Sequence, residues 1–271
     1  MKSLPKLVIF GDPKKGPVAE AIEEFAGFAK GKAQIAASYR INDLDGGSPP
    51  WRNWAEPAPA PGPGTRASVQ ALDRVRVLKE CDFAVVFGGD GSIIATARNL
   101  TEADLPVIGV NLGKLGFLAE FSVAELKQHF DDIISGKAPV EKRMMLGCKV
   151  LADGREKFNS AAINDVYITA GPPFRMIELK ISVDGQLLAG CVSDGLIIAT
   201  PTGSTAYNLS AGGPIVSPKM EAIVITPICP HSLSFRPIVI NANSTVEVLG
   251  VQVNKGTTVS IDGQVSSGLS D

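Results

Sequence analysis

The hydrophobic pattern of the sequence changes partway along the chain, and this change predicts two domains of different architecture. In the first half, continuous apolar runs such as DFAVVF and LPVIGVN are separated by segments with helical spacing. Strands without alternation require cover on both faces, so this half predicts a doubly wound α/β domain with a mostly parallel sheet. Further along, alternating strands are joined by Asp153-Gly154 and Asp184-Gly185, and such pairs favour tight hairpins. The second half therefore predicts a mostly antiparallel, β-rich domain.

The domain boundary is predicted near Pro139, which gives an α/β domain at residues 1–140 and a β-rich domain at residues 141–271. A helix is predicted at about Val123 to Ile134 in the first domain. The stretch from Asn42 to Thr65 contains six prolines and both tryptophans. A segment this rich in proline does not pair in a sheet or continue a helix, so it predicts an exposed loop.

Composition excludes several classes of protein. Apolar residues make up 45% of the 271 residues and charged residues 20%, which favours a globular protein over a disordered chain or a membrane protein. The net charge of −2 indicates no basic surface for nucleic acid or for an anionic membrane. The four cysteines are widely spaced without a CxxC pair. They predict buried thiols in a reduced, cytoplasmic protein rather than a metal site or disulfides.

Three glycines follow the apolar strand DFAVVF, in the sequence GGDGS from Gly88 to Ser92. Ligands collect at the carboxyl ends of strands in an open α/β sheet, and the amides of Gly88, Gly89 and Gly91 form a cradle suited to phosphate oxygens. A carboxylate among those amides repels a phosphate. Asp90 is therefore interpreted as a proton acceptor from a hydroxyl group or as a metal-linked group. A tight turn with an aspartate helix cap is the plainer alternative.

Two further segments combine polar residues with apolar strands. Asn164-Asp165 lies in AAINDVYIT, where burial of a carboxamide and a carboxylate is costly unless both are hydrogen-bonded. The run from Ser193 to Ser210 collects small hydroxyl residues and glycines, which suits the presentation of amides and hydroxyls to a polar ligand. Tyr207 in this run can stack on a planar ring. A local Asx turn and a Ser/Thr-rich connector are the plainer alternatives.

Together these segments resemble the NAD kinase family. The resemblance covers GGDG at Gly88–Gly91, the Asn164-Asp165 pair, SDGLIIATPTGSTAYNLSAGGPI from Ser193 to Ile215, TPICPHSLSFRPIV from Thr226 to Val239, and the late Asp262-Gly263-Gln264. It implies transfer of a phosphoryl group from ATP, or from inorganic polyphosphate in some members, to the 2′-hydroxyl of the adenosine ribose of NAD, giving NADP. It also implies a divalent cation, usually magnesium, and assembly as a homodimer or homotetramer.

The resemblance implies roles for individual residues. Asp90 resembles the carboxylate that accepts the proton of the 2′-hydroxyl. The residues that resemble the phosphate-donor turn are Gly88, Gly89, Gly91 and Ser92. The residues that resemble the NAD-binding set are Asn164, Asp165, Asp194, Thr205, Ala206, Tyr207 and Ser210. The resemblance assigns no metal ligand.

The sequence departs from the family pattern at four places, one of which is the proline-rich stretch with its two tryptophans. Ser92 stands where many members have threonine, Asp165 stands where many have glutamate, and the chain ends soon after Gly263, where members usually continue with further strands. GGDG turns also occur in phosphofructokinases and in diacylglycerol-type lipid kinases, although both lack the TPTGSTAY run. The alternatives are therefore a kinase of those types acting on another hydroxyl and a non-catalytic dinucleotide-binding sensor.

Overall fold

The structure is a computed structural model that describes residues 3–41, 52–53, 76–101, 103–113, 116–232 and 235–269. The chain forms two compact units, unit 1 at Met1–Glu141 and unit 2 at Lys142–Asp271. Most of the predicted proline-rich loop, including both tryptophans, lies outside the described residues. Within those ranges, no helix combines the length and the apolar character needed to cross a bilayer.

The described part of unit 1 contains a five-stranded sheet with helices between its strands. In chain order its elements are β1 (Lys6–Phe10), α1 (Gly16–Ala29), β2 (Gln34–Tyr39), β3 (Arg52–Asn53), β4 (Phe83–Phe87), α2 (Asp90–Asn99), β5 (Val107–Val110) and α3 (Val123–Ile134). The strand order is β3-β2-β1-β4-β5, and every neighbouring pair except β2 and β3 is parallel. The predicted α/β architecture with a mostly parallel sheet is confirmed.

Strand β4 shows why its apolar run does not alternate with polar residues. Phe83, Val85 and Phe87 pack on one face of the sheet, in a core that includes residues of α1 and α3. Ala84 and Val86 pack in a second core on the opposite face. Because both faces are buried, every position of the strand is apolar.

The expectation that the proline-rich stretch does not pair in a sheet is wrong at two residues. Arg52 and Asn53 pair antiparallel with Ser38 and Ala37 at the edge of the sheet. Proline prevents pairing because it lacks a backbone N–H, and neither of these two residues is a proline. A short edge strand therefore forms inside a segment whose composition predicts a loop.

Unit 2 consists mainly of antiparallel strands. In chain order its elements are β6 (Leu146–Ala152), β7 (Arg155–Ala162), β8 (Asp165–Thr169), β9 (Ile177–Val183), β10 (Gln186–Ser193), β11 (Gly195–Ala199), a 3₁₀ helix (Thr202–Thr205), α4 (Tyr207–Ser210), β12 (Ala222–Ile228), β13 (Ile238–Asn241), β14 (Val246–Gln252), β15 (Thr258–Ile261) and β16 (Val265–Gly268). The described strands form a six-stranded sheet β13-β12-β11-β8-β15-β16, a three-stranded sheet β10-β9-β14 and the hairpin β6-β7. The predicted antiparallel, β-rich architecture is confirmed.

The two Asp-Gly pairs of unit 2 have the backbone conformation that is predicted for tight hairpin turns. Asp153 and Gly154 have φ values of 50° and 73°, and Asp184 and Gly185 have values of 51° and 75°. Positive φ at both central positions is typical of type I′ turns, whose twist matches that of the flanking strands.

Strand β8 has one face toward the main core of unit 2, a buried cluster that includes Ile177, Leu179 and Ile181. Its other face carries candidate site residues. Val166 and Ile168 point into the main core. Successive side chains of a strand point to opposite faces, so Asp165 and Tyr167 lie on the other face of the sheet. A smaller apolar cluster on that face consists of Ile197, Ala199, Val216, Ala222 and Val224.

Candidate active site

The predicted glycine turn joins β4 to α2 in unit 1, and a cavity of about 310 Å³ opens beside it. The cavity is lined by Asp12, Lys15, Pro17, Val18, Phe87, Gly88, Gly89, Ser92, Asn111, Leu112 and Gly113. Three of the predicted phosphate-binding residues, Gly88, Gly89 and Ser92, are therefore brought together at one cavity. Gly91 lies in the first turn of α2.

Three polar residues of this cavity are missed by the sequence reasoning. Asp12 and Lys15 lie in the turn between β1 and α1, and Asn111 follows β5. Their position could have been inferred from the sequence, because all three follow an apolar strand. The carboxyl ends of neighbouring parallel strands meet at one edge of a sheet. Lys15 is the N-cap residue of α1 and Gly89 is that of α2, so two helix N-termini and an ammonium group adjoin the cavity. This arrangement suits an anionic ligand.

Asp90 is held by three consecutive backbone amides. Its Oδ2 accepts the N–H of Phe117 at 2.8 Å, and its Oδ1 accepts those of Leu118 and Ala119 at 3.0 and 3.1 Å. Each carboxylate oxygen has two lone pairs, so Oδ1 is saturated and Oδ2 keeps one position for a further donor. Gly89, not Asp90, is the N-cap of α2, which removes the helix-cap alternative.

Gly116 leaves the space that the Asp90 carboxylate occupies. A Cβ atom at position 116 would lie 2.1 Å from Oδ1 and 2.5 Å from Cγ of Asp90. Both distances are far inside van der Waals contact. The sequence does not reveal this role, because Gly116 becomes a neighbour of Asp90 only in the folded chain.

In unit 2, the Asn164-Asp165 pair stands at the start of β8 and is fixed by Asp262. The Asp262 carboxylate accepts the N–H groups of Ile163, Asn164 and Asp165 at 3.1, 2.7 and 3.1 Å. Asp262 lies in the turn between β15 and β16. A carboxylate on three successive amides thus occurs in both units.

Asp165 is a buried acid beside a second acid. Its exposed fraction is 3%. Burial, followed by repulsion from Asp262, raises the pKa of Asp165 to about 7. At neutral pH this carboxyl group is therefore able both to donate and to accept a hydrogen bond.

We expect the protein to lose stability as the pH rises from 5 to 8 because of Asp165. The native state keeps the Asp165 proton up to a pH of about 7, whereas the unfolded chain releases it near its ordinary pKa of about 3.9. The native state thus binds more protons in this interval. Its free energy of unfolding then falls by about 1.4 kcal/mol per pH unit until Asp165 ionises.

Urea denaturation of the wild type and of Asp165→Asn at pH 5, 6, 7 and 8 measures this effect. Over that range the wild type is expected to lose about 2 to 3 kcal/mol relative to the variant. Asp153→Asn is the control for removal of an exposed carboxylate. A wild-type-to-variant difference that does not change with pH contradicts the prediction.

The run between β11 and β12 is organised by buried polar side chains. Asn208 is fully buried, and its amide donates to the carbonyls of Ser204 and Pro214, both at 3.1 Å. Its oxygen accepts the hydroxyl of Thr226 at 2.6 Å. The Ser204 hydroxyl in turn accepts the N–H of Val216 at 3.0 Å. These bonds give the segment around Tyr207 a defined conformation, and neither Asn208 nor Thr226 is identified from the sequence.

The same run is joined to the backbone of Asn164. The Thr200 N–H donates to the Asn164 carbonyl at 2.8 Å. A Cβ atom at position 203 would lie 2.0 Å from that carbonyl oxygen, so Gly203 permits the close approach. The two segments that the sequence singled out separately are therefore in contact.

Tyr207 lies among several predicted site residues. Its exposed fraction is 38%, and its ring meets that of Tyr167 edge to face, with 5.1 Å between centroids and an interplanar angle of 80°. Burial raises the pKa of the Tyr207 hydroxyl, and nearby groups raise it further, namely Tyr167, Cys229, Asp165 and Asp194. Tyr207 therefore lies near both acids. Asp165 and Asp194 themselves stand at opposite ends of the paired strands β8 and β11, because Asp165 pairs with Ala199 whereas Asp194 precedes Gly195, which pairs with Thr169.

The other predicted residues of the run lie close to Tyr207 in the chain. The Thr205 hydroxyl is bonded to the Thr202 carbonyl at 3.3 Å, Ala206 precedes α4, and Ser210 is exposed at its end. The expectation of four buried cysteines is confirmed for Cys81 and Cys191, whereas Cys148 is only partly buried. It is wrong for Cys229, which is exposed with a φ of 46°. Its position explains this, because β12 ends at Ile228 and the chain leaves the sheet there.

Two family models match the chain. The model of the ATP-NAD kinase N-terminal domain matches residues 62–138, and that of the ATP-NAD kinase C-terminal domain matches residues 163–270. The first range contains Asp90 and its three amides. The second contains Asp165, Tyr207 and Asp262.

Relatives and a solved structure agree with these models. The NAD kinase of Desulforamulus reducens is 45% identical over 185 residues, which cover 68% of this chain and 64% of the relative. The NAD kinase of Heliobacterium modesticaldum is 44% identical over 197 residues, which cover 73% of this chain and 69% of the relative. The crystal structure of yeast NADH kinase complexed with NADH matches with a TM-score of 0.80 and 30% identity, covering 100% of this chain and 78% of that chain. With both of its units matched and its motifs in place, the chain belongs to the NAD kinase family.

Proposed function

We propose that the protein is an ATP-dependent NAD kinase, which transfers the terminal phosphoryl group of ATP to the 2′-hydroxyl of the adenosine ribose of NAD and releases NADP and ADP. Both matching family models describe domains of ATP-NAD kinases, and the yeast relative was solved with NADH. The observation that carries the proposal is the Asp90 carboxylate. It is fixed next to the glycine turn with one acceptor position open.

The cavity of unit 1 is the proposed site of the phosphate donor. The amides of Gly88 and Gly89, the N-termini of α1 and α2, and the Lys15 ammonium group all favour phosphate oxygens. Pro17, Val18 and Leu112 add apolar surface to the same cavity. A nucleoside can cover that surface and a bare polyphosphate chain cannot, so the lining favours ATP over inorganic polyphosphate.

Asp90 is the proposed general base. A ribose hydroxyl is a weak nucleophile, so its attack on the terminal phosphorus is assisted when Oδ2 accepts its proton. A bond forms between the 2′-oxygen and phosphorus, the bond to the bridging oxygen breaks, and ADP leaves. The three amides fix the carboxylate beforehand, so it does not need to reorient during the reaction.

Unit 2 carries the proposed NAD-binding residues. Asp165 and Asp194 offer hydrogen-bonding groups for ribose hydroxyls, and Tyr207 offers a partly exposed ring for a planar base. The other residues proposed to contact NAD are Asn164, Thr205, Ala206 and Ser210. Because Asp165 holds a proton up to a pH of about 7, it is able to donate to an oxygen of the ligand.

A divalent cation, which we take to be magnesium, is proposed to accompany the donor. Magnesium in such sites is held by one or two carboxylates, substrate phosphates and water. Asp12 places a carboxylate and Ser92 a hydroxyl in the cavity, so the donor set fits. Over the described residues, no three His, Cys, Asp or Glu side chains form a metal site of their own. The cation neutralises phosphate charge when bound.

The proposed assembly is a homodimer through the outer face of the sheet β10-β9-β14. Val192 and Leu249 are 42% and 63% exposed there, on either side of Glu178 and Lys180. Glu178 and Lys180 are exposed, have no ion-pair partner in the described ranges, and lie two positions apart on β9. Two copies related by a two-fold axis are able to pair Lys180 of each with Glu178 of the other. Light scattering on Leu249→Lys is expected to show a monomer.

The proposed compartment is the cytoplasm. Cys81, Cys148, Cys191 and Cys229 are all free thiols, and Cys229 is exposed. Reducing conditions keep an exposed thiol free.

Incubation of the purified chain with NAD, ATP and magnesium tests the activity. An NADP-specific dehydrogenase then detects the product, and matched reactions replace ATP with polyphosphate or NAD with NADH. The expected result is ATP-dependent NADP formation. Binding of NAD without formation of NADP supports the sensor alternative. Phosphorylation of fructose 6-phosphate or diacylglycerol in place of NAD supports the kinase alternatives.

A further inference from the structure

Tyr167 lies among the proposed NAD-binding residues of unit 2, although no sequence motif identifies it. It is on β8, opposite Ile197 of β11 and Ser260 of β15. Since residues two apart on a strand share a face, Tyr167 shares the face of Asp165. Its ring packs against the apolar cluster on that face. Tyr167 is thus held by the middle of a sheet, whereas Tyr207 lies on the short helix α4.

The ring of Tyr167 fixes the ring of Tyr207. Their centroids are 5.1 Å apart at 80°, which is the edge-to-face geometry that aromatic pairs favour. Tyr167 is partly buried and Tyr207 is 38% exposed. The buried ring therefore sets the orientation of the exposed one, and with it the plane against which a ligand ring can stack.

The hydroxyl of Tyr167 is left without a hydrogen-bond partner among the described residues. It points toward the turn that contains Asp262, since a Cβ atom at Gly263 would lie 3.8 Å from it. The Tyr167 oxygen is not among the described side-chain atoms that are both shielded from solvent and unpartnered, so it is accessible to water and to a bound ligand. A polar group of a bound ligand is able to supply the missing partner.

We propose that Tyr167 belongs to the dinucleotide site, where its ring positions Tyr207 and its hydroxyl bonds a hydroxyl or amide group of NAD. The identity of the ligand rests on the proposed function. The two roles are separable. Tyr167→Phe removes only the hydroxyl, whereas Tyr167→Leu also removes the aromatic contact.

Steady-state kinetics and calorimetric titration with NAD test the proposal on the full-length chain. We expect Tyr167→Phe to raise KM and Kd for NAD about three- to tenfold, which is the effect of one hydrogen bond. Tyr167→Leu is expected to raise both about 30-fold or more, because the aromatic pair is lost as well. For both variants, kcat and the KM for ATP are expected to stay within about threefold of the wild type.

Val166→Ala is the matched control. Val166 is the preceding residue of the same strand, but its side chain points into the main core. It is expected to lower the melting temperature without changing the Kd for NAD. A double variant with Tyr207→Leu completes the design, because two residues that act through one contact have non-additive effects on Kd.

The outcomes separate this proposal from the proposed function. Tyr167 variants that melt at lower temperature but bind NAD as tightly as the wild type overturn the proposal and leave the kinase activity standing. A wild type that binds NAD but makes no NADP overturns the activity, and the Kd ratios then decide the role of Tyr167. A wild type that does not bind NAD overturns both.

Discussion

Asp90→Asn is expected to lower kcat for NADP formation at least 100-fold while the Kd for NAD changes little. General base catalysis contributes about 10² to 10⁴ in rate, and an asparagine oxygen is too weakly basic to replace the carboxylate. The loss is expected in kcat and in kcat/KM alike, because the proton is transferred only in the transition state. Initial rates at saturating ATP, with NAD varied, measure both constants.

Because three backbone amides donate to Asp90, the effect of Asp90→Asn on local structure must be measured separately from its effect on kcat. Asparagine is able to accept the N–H groups of Leu118 and Ala119 through its oxygen, but its amide nitrogen then faces the N–H of Phe117. A local rearrangement is therefore expected, and the melting temperature and the Kd for NAD show whether it spreads. Asp90→Asn with kcat within tenfold of the wild type would remove Asp90 as the base.

Gly116→Ala is expected to reduce kcat by about 100-fold without changing any group that takes part in the chemistry. The added methyl group would overlap the Asp90 carboxylate, with 2.1 Å to Oδ1 and 2.6 Å to Oδ2. Either the carboxylate or residues 116–119 must then move. A shift of about 1 Å in a catalytic group is sufficient for a loss of this size.

Gly27→Ala is the matched control for this variant. Gly27 lies on the exposed side of α1, and a Cβ atom there has no neighbour within 4 Å. Alanine at this position is expected to preserve kcat and to add about 0.5 to 1 kcal/mol of stability, because glycine is unfavourable inside a helix. Equal activity of Gly116→Ala and Gly27→Ala would show that the position of the Asp90 carboxylate does not limit the rate.

The fold was predictable where the signals are local. Helix α3 spans the predicted residues Val123–Ile134, because helical spacing there coincides with a capping box between Ser122 and Glu125. The architectures of both units followed from whether the strands alternate. The edge strand Arg52–Asn53 was missed, because two residues of pairing are too short to change the composition of a proline-rich segment.

The candidate site was predictable as a set of segments but not as a set of contacts. Asp90 and Asp165 stand out in the sequence because a carboxylate interrupts glycines or an apolar strand. Their partners do not stand out. Phe117 reaches Asp90 from 27 residues away, and Asp262 reaches Ile163 from 99 residues away. Tyr167 was hidden for a different reason, because an aromatic residue in a β-strand is ordinary.

The hydrogen bonds made by Asp262 can form only after most of unit 2 has been synthesised. Unit 1 precedes unit 2 on the ribosome, and domains fold as units from the N-terminus onward. The N–H groups of residues 163–165 have no access to the Asp262 carboxylate until another 97 to 99 residues have been synthesised. At about 5 to 20 residues per second, that delay is roughly 5 to 20 s. A nascent chain therefore contains its glycine turn many seconds before Asp262 can fix the backbone of Asn164-Asp165.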